Sequence, residues 1–204
     1  MNVKAGPVAF DDASAIRVSG ADPSHPVTIQ ASARDAQGIT WTSRAEFTPG
    51  SDGTVDLATA APRSGSYSGA HATGPIWSMT AGDQHPAFLV ATEAAMTVTF
   101  TASQPGRTSV MATQRRLFRA PGVTVTSITA SEGFVGRMFT PSRPVAHAGA
   151  VLVFGGSEGG LSGSALVAGV LASHGHPALA LAYFDAPGLP RTLANIRWSI
   201  SPAR

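Results

Sequence analysis

Residues 150–154 read Ala-Val-Leu-Val-Phe, an unbroken apolar run, and Gly-Gly-Ser-Glu-Gly-Gly follows directly before an apolar-periodic stretch over 162–173. An apolar run without alternation predicts a strand covered on both faces, and strand, glycine turn and helix in succession open a β-α-β unit. Gly175 stands just past the last periodic residue, where a left-handed residue ends a helix, and residues 177–184 supply a second apolar strand. A helical crossover returns the chain to the start of the sheet, so the two strands are expected to run parallel.

Upstream the period changes to two. Residues 27–33 predict one strand, and in 39–47 the set Ile39, Trp41, Ser43, Ala45 and Phe47 alternates with Thr40, Thr42, Arg44 and Glu46, so one face is buried. Pro49, Gly50, Ser51, Asp52 and Gly53 turn the chain. Stretches 96–102 and 108–118 flank Gln104-Pro105-Gly106-Arg107, in which Pro presets φ and Gly supplies a positive φ, which predicts a hairpin. Short strands without a helical stretch predict an all-β, Ig-like β-sandwich over residues 1–119. Residues 123–129 and 134–140 predict a further hairpin around Ser131, Glu132 and Gly133, with 141–144 as a linker.

Composition narrows the function. An apolar fraction of 43% in 204 residues supports a sizeable core. Thirteen Arg stand beside a single Lys, Lys4, but the net charge is only +2, so no basic face is expected and nucleic acid is not an expected partner. Arg115, Arg116 and Arg119, at strand spacing, are expected to edge a sheet. The absence of Cys excludes disulfides and thiolate zinc sites, and six His without H-x-x-x-H spacing point to no metal and no cofactor. Residues 1–10 lack an apolar signal core, and no apolar run reaches the roughly 18 residues of a membrane span, so a cytoplasmic protein is expected. Arg in place of Lys, with abundant Ala and Gly, is the composition of a GC-rich bacterial coding sequence.

The glycine turn is the candidate site, because backbone N–H groups at a helix start suit an anion or a developing oxyanion. A dinucleotide fingerprint fails, since Ser157 or Glu158 occupies the second glycine position, and a phosphate-binding loop fails, since Leu161 replaces its lysine. Two readings stay open. Gly155, Gly156, Ser157, Glu158 and Gly159 match the G-x-S-x-G of a nucleophile elbow, but an elbow serine needs an acid and then a histidine later in the chain. His174 and His176 precede Asp185, the reverse order. The other reading is the oxyanion loop, 155–160, that follows the third strand of an α/β-hydrolase. Glu158 reads as a solvated carboxylate at a helix start.

Two stretches carry a resemblance. Gly53-Thr54-Val55-Asp56-Leu57, then Gly65, Tyr67, Gly69, His71, Gly74, Trp77, Ser78 and Met79, resemble the V-D-L and G-x-Y-x-G-x-H-x-x-G-x-x-W-S-M signatures of acyl-CoA thioesterases and bile acid-CoA:amino acid N-acyltransferases. Ala120-Pro121-Gly122-Val123, the glycine turn 154–161, Leu171-Ala172-Ser173-His174-Gly175 and Leu179-Ala180-Leu181-Ala182-Tyr183 match in order and spacing.

The resemblance covers residues 8–196 and implies a β-sandwich over 1–119 and the start of an α/β-hydrolase domain over 120–196. Residues 197–204 form a tail unlike the family. It implies acyl-CoA as substrate, cleaved or transferred through a Ser or Cys, Asp, His triad. Transferred residue by residue, the oxyanion loop of Gly155, Gly156, Ser157, Glu158, Gly159 and Gly160 lands on this chain, while elbow, acid and histidine fall beyond residue 204. The chain is therefore expected to be truncated, by frameshift or otherwise, and inactive alone, with its third hydrolase strand left as an apolar edge. Tyr67, His71 and Trp77 are expected to form a buried cluster holding a long loop, with Gly69 and Gly74 at special backbone angles; the functional alternative is a loop shaping the acyl or CoA entrance. A rival of another class is a non-catalytic β-sandwich binding module with a vestigial hydrolase segment.

Overall fold

The computed structural model describes residues 2–3, 7–13, 16–82, 90, 94–147 and 149–194, so the tail over 197–204 lies outside the described residues. The chain is mostly β-structure with few helices and divides into two compact units, Met1–Leu117 and Phe118–Arg204. No helix among the described residues is long and apolar enough to cross a membrane.

The first unit runs β1 (Asn2–Val3), β2 (Val8–Ala9), β3 (Arg17–Ser19), β4 (Val27–Arg34), β5 (Thr40–Phe47), β6 (Val55–Asp56), β7 (Ser64–Gly65), α1 (Gly74–Trp77), β8 (Ala95–Ser103) and β9 (Val110–Leu117). One sheet has the order β2-β9-β8-β4-β5-β7 and a second the order β1-β3-β6. The antiparallel β4/β5 pair opposes Val27 to Phe47 and Ala31 to Ser43, so the alternating residues of both strands face one side. Val27, Ile29, Ala31, Ala45, Phe47, Val98 and Phe100 of the larger sheet share one core with Val18 and Val55 of the smaller. Each fully buried large side chain of this set contributes roughly 1.5–3 kcal/mol. The β8/β9 hairpin closes where Arg107 N–H donates to Gln104 O at 3.2 Å and Gly106 takes φ +71°. The sequence predicted no helix here; α1 is a single turn with Pro75 in its first positions.

The arginine expectation is corrected. Arg116 does not edge the sheet: it is 1% exposed, and β9 is an inner strand because β2 pairs beside it, Val8 opposite Arg116. Its guanidinium donates to Phe10 O, at 3.1 Å from Nε and 2.9 Å from Nη2, to Asp12 O, and to Gln114 Oε1 at 2.8 Å. A rigid fork of donors permits burial when carbonyls ring it, and the two backbone carbonyls come from 106 and 104 residues upstream. Burial lowers its pKa, with Asp12 and Asp11 opposing that shift. Arg115, its neighbour on the strand, is exposed.

The second unit runs β10 (Thr124–Ile128), a single 3-10 turn (Ala130–Glu132), β11 (Val135–Thr140), β12 (Val151–Phe154), α2 (Ser162–Ser173) and β13 (Ala178–Ala182). Its sheet order is β10-β11-β13-β12, with β10/β11 and β11/β13 antiparallel and β12/β13 parallel. The parallel β12-α2-β13 unit follows the apolar run and glycine turn as predicted. Ala165, Ala168 and Ala172 of α2 pack with Ala178, Ala180 and Phe139 of the sheet, Val151 and Val153 joining from β12. Small side chains bring the helix close, and at Gly169 a Cβ would stand 2.9 Å from Phe118 O.

One strand departs from expectation. β12 is not covered on both faces: Val151 and Val153 are half-buried, whereas Leu152 is 53% and Phe154 63% exposed. Among the described residues β12 is an edge strand, paired on one side with β13. An apolar run records what a strand is suited to bury, and covering the second face takes further polypeptide.

Candidate functional site

The glycine turn 155–160 leaves the C-terminal end of β12 and enters α2, at the carboxyl end of the one parallel pair, β12/β13, among the described strands of this mixed sheet, the end where ligands bind in open α/β folds. Gly159 and Gly160 take φ +64° and +62°, angles that cost little without a Cβ. A Cβ on Gly159 would also lie 2.7 Å from Asp185 Cβ and 2.8 Å from Phe184 Cε2, so glycine is required twice over. Gly160 N–H donates to Phe184 O at 3.0 Å, fastening the loop to the segment after β13.

Two side chains hold the peptide planes before that. The hydroxyl of Tyr183 lies 2.9 Å from both Gly155 O and Gly156 O and shares its proton between them. Gly156 N–H donates to Glu158 Oε1 at 2.9 Å, and this N–H, followed by the backbone N–H of Glu158 itself, lowers the pKa of the Glu158 carboxyl. Glu158 is therefore more than a solvated carboxylate, because it closes a ring across its own loop. Ser157, Glu158 and Gly156 are exposed.

Among the described residues no histidine is hydrogen-bonded to Ser157. His174 and His176 follow the C-terminus of α2 while Ser157 precedes its N-terminus, and a twelve-residue helix spans about 18 Å. The backbone N–H groups of both histidines instead close the helix end, His174 N on Val170 O at 3.2 Å and His176 N on Leu171 O at 3.1 Å. Asp185 does lie beside the loop, at φ +52°, with its N–H on Pro190 O at 2.7 Å. Among the described residues no group of three His, Cys, Asp or Glu could hold a metal ion.

In the first unit the loop after β7 is pinned to β5 at both ends. Ser66 N–H donates to Arg44 O at 2.8 Å, and Thr42 and Thr80 exchange two backbone bonds of 2.9 Å. Ser43 Oγ donates to Pro75 O. The expected buried cluster is corrected in two places: Tyr67 is 8% exposed, but His71 and Trp77 are exposed. The indole still meets both partners edge-on, 5.7 Å from the Tyr67 ring and 5.9 Å from His71. Burial pushes the Tyr67 hydroxyl up to about 12. Gly69 takes φ +80°, whereas Gly74 is glycine for lack of room and not for its angle.

Residues 11–130 match the family described as "Acyl-CoA thioester hydrolase/BAAT N-terminal region". The chain belongs to this acyl-CoA thioester hydrolase/BAAT family. Within the matched residues lies the whole signature loop from Gly65 to Met79, pinned as just described. Among relatives of the thioester hydrolase family, rat acyl-coenzyme A thioesterase 1 is 31% identical over 205 residues, covering 95% of this chain and 46% of its own length. Mouse acyl-coenzyme A thioesterase 6 is 32% identical over 205 residues, again 95% and 46%. Mouse peroxisomal succinyl-coenzyme A thioesterase is 31% identical over 200 residues, 92% and 45%. A match over 95% of the chain takes in the glycine turn as well as the signature loop. The chain spans less than half the length of these thioesterases.

Tyr183 is the site residue that sequence reasoning passed over. It entered inside the apolar strand 177–184 and as the last residue of the family-like run 179–183, and no spacing rule ties a tyrosine near the end of one strand to a glycine turn 27 residues earlier. The contact exists because a parallel β-α-β unit returns the chain alongside its own beginning.

Proposed function

We infer that this chain is the front part of a protein that cleaves, or transfers the acyl group of, an acyl-CoA thioester, with residues 155–160 as the oxyanion loop of an α/β-hydrolase domain and residues 1–119 as a β-sandwich. The observation that carries this reading is the glycine turn at the C-terminal end of β12, its Gly155 and Gly156 carbonyls held by the Tyr183 hydroxyl. Family membership and the parallel β12-α2-β13 unit support it.

The chemistry follows from the thioester. Attack on its carbonyl carbon moves the C=O π pair onto oxygen, N–H donors stabilise that oxyanion, and its collapse expels the CoA thiolate. The described residues supply donors for the oxyanion and no nucleophile, acid and histidine in register, so Ser157 acts through its backbone N–H and not as the attacking oxygen. In this reading the nucleophile lies outside the described residues, and the chain alone is expected to be inactive.

Acyl-CoA hydrolysis by this chain, and by a version continued through the later strands of its relatives, tests the reading. The extended protein is expected to release CoA and the chain alone to match buffer. A folded extended protein with no turnover on short, medium or long acyl-CoAs would favour the binding-module alternative.

A further inference from the structure

The hydroxyl of Tyr183 sits at the same 2.9 Å from two successive carbonyl oxygens, Gly155 O and Gly156 O. In a trans peptide C=O and N–H point in opposite directions, and the described peptides are all trans. Fixing O155 on the Tyr183 side therefore sends the N–H of Gly156 to the other side, and fixing O156 does the same for the N–H of Ser157. The first of these amides lies on Glu158 Oε1 at 2.9 Å. A negatively charged oxygen thus already sits where the loop presents its amides, although that oxygen is the loop's own. Glu158 also fits over both glycines: a Cβ at residue 155 would come within 2.6 Å of Oε1 and one at residue 156 within 3.0 Å of Oε2. The tyrosine ring is in turn fixed against Phe184, centroid to centroid 5.1 Å.

We propose that Tyr183 is the positioning residue of this loop: by gripping the carbonyls of Gly155 and Gly156 it turns the amides of Gly156 and Ser157 toward the oxyanion of the thioester, and the Glu158 carboxylate holds the Gly156 amide in place until that oxyanion displaces it. This rests on the oxyanion-loop reading of residues 155–160. Tyr183 itself touches no substrate. It acts through two peptide planes, and a displacement of such donors by about 1 Å is enough to cost on the order of 10²-fold in rate.

Tyr183→Phe removes the hydroxyl and keeps the ring on Phe184, so the fold is retained. In the chain as it stands, amide hydrogen exchange read by NMR is expected to speed up at Gly156 by tenfold or more in Tyr183→Phe, as it does in Glu158→Ala. Acceleration in Glu158→Ala with none in Tyr183→Phe overturns the proposal, because the tyrosine then does not set the amide. In an extended, active enzyme, Tyr183→Phe is expected to lower kcat about tenfold to a hundredfold with KM within about threefold, a split that general loosening of the fold does not give. Ser157→Pro, which deletes the second amide, tests the underlying reading separately. A folded Ser157→Pro enzyme without activity beside an unimpaired Tyr183→Phe enzyme leaves the oxyanion loop standing and removes Tyr183 from it. Full activity in both removes the oxyanion loop itself.

Discussion

Gly74 makes room for the ring of Tyr67: a Cβ at residue 74 would stand 2.3 Å from Tyr67 Cε2 and 2.4 Å from Cζ. Both residues belong to the signature loop, and their approach buries a hydroxyl that has no hydrogen-bond partner among the described residues. Gly74→Ala forces the ring or the helical turn to shift, and overpacking of this kind costs about 1–3 kcal/mol. Tyr67→Phe removes an unsatisfied buried oxygen, so it is expected to leave stability unchanged or raise it by about 1 kcal/mol. Urea unfolding of both variants checks the pair; a large loss in Tyr67→Phe would show that the hydroxyl holds a partner.

Arg116→Ala is expected to lower stability by about 2–4 kcal/mol, because it strips donors from Phe10 O, Asp12 O and Gln114 and opens a cavity under β9. Arg115→Ala, one residue away and exposed, is expected to stay within about 0.5 kcal/mol. Equal effects in thermal unfolding would contradict the buried clamp.

The pH dependence of the loop has a definite sign. The Glu158 carboxyl titrates below its ordinary value of 4.5 because Gly156 N–H, first among its partners, stabilises the charged form. Its contribution to order in the loop is present above that ordinary value and is lost as pH falls through the lowered folded value. The Gly156 amide proton shift, followed by NMR, is expected to report a single titration with its midpoint under 4.5 and to lose it in Glu158→Gln. A midpoint above 4.5 would break the link between carboxylate and amide.

Ser157 separates the two roles the motif could play. In an extended, active enzyme Ser157→Ala keeps the backbone donor and is expected to change the rate by about tenfold or less. Ser157→Pro deletes the donor and is expected to cost about 10²–10³. Steady-state rates, with circular dichroism as a check on folding, decide it; an inactive, well-folded Ser157→Ala enzyme would make Ser157 the nucleophile.

The exposed apolar face of β12 predicts association of the chain as it stands, since an edge strand with Leu152 and Phe154 outward is a template for pairing. Phe154→Lys, which places a charge on that face, is expected to shift the chain toward monomer in sedimentation velocity. A wild-type chain that sediments as a monomer at tens of micromolar would remove the prediction.

Local rules carried much of this protein. Alternation in 39–47, the turn at 104–107 and the apolar periodicity of 162–173 placed β5, the β8/β9 hairpin and α2 with small errors at the ends, because backbone periodicity is a property of neighbours in sequence. The same rules put the glycine turn between β12 and α2, and the signature residues pointed to the family. Burial and pairing across long separations were decided by the tertiary structure. Arg116 reads as a surface cation until residues 8–12 lie against β9 and ring it with carbonyls. Phe154 reads as core until the second face of β12 is seen to be open, and Trp77 reads as core until the pinned loop turns it outward. Tyr183 acquires its place on the Gly155 and Gly156 carbonyls when the parallel crossover brings the end of β13 beside the end of β12. Desolvation and hydrogen bonding depend on which atoms surround a group, and those atoms are chosen by the fold rather than by the residue next in line.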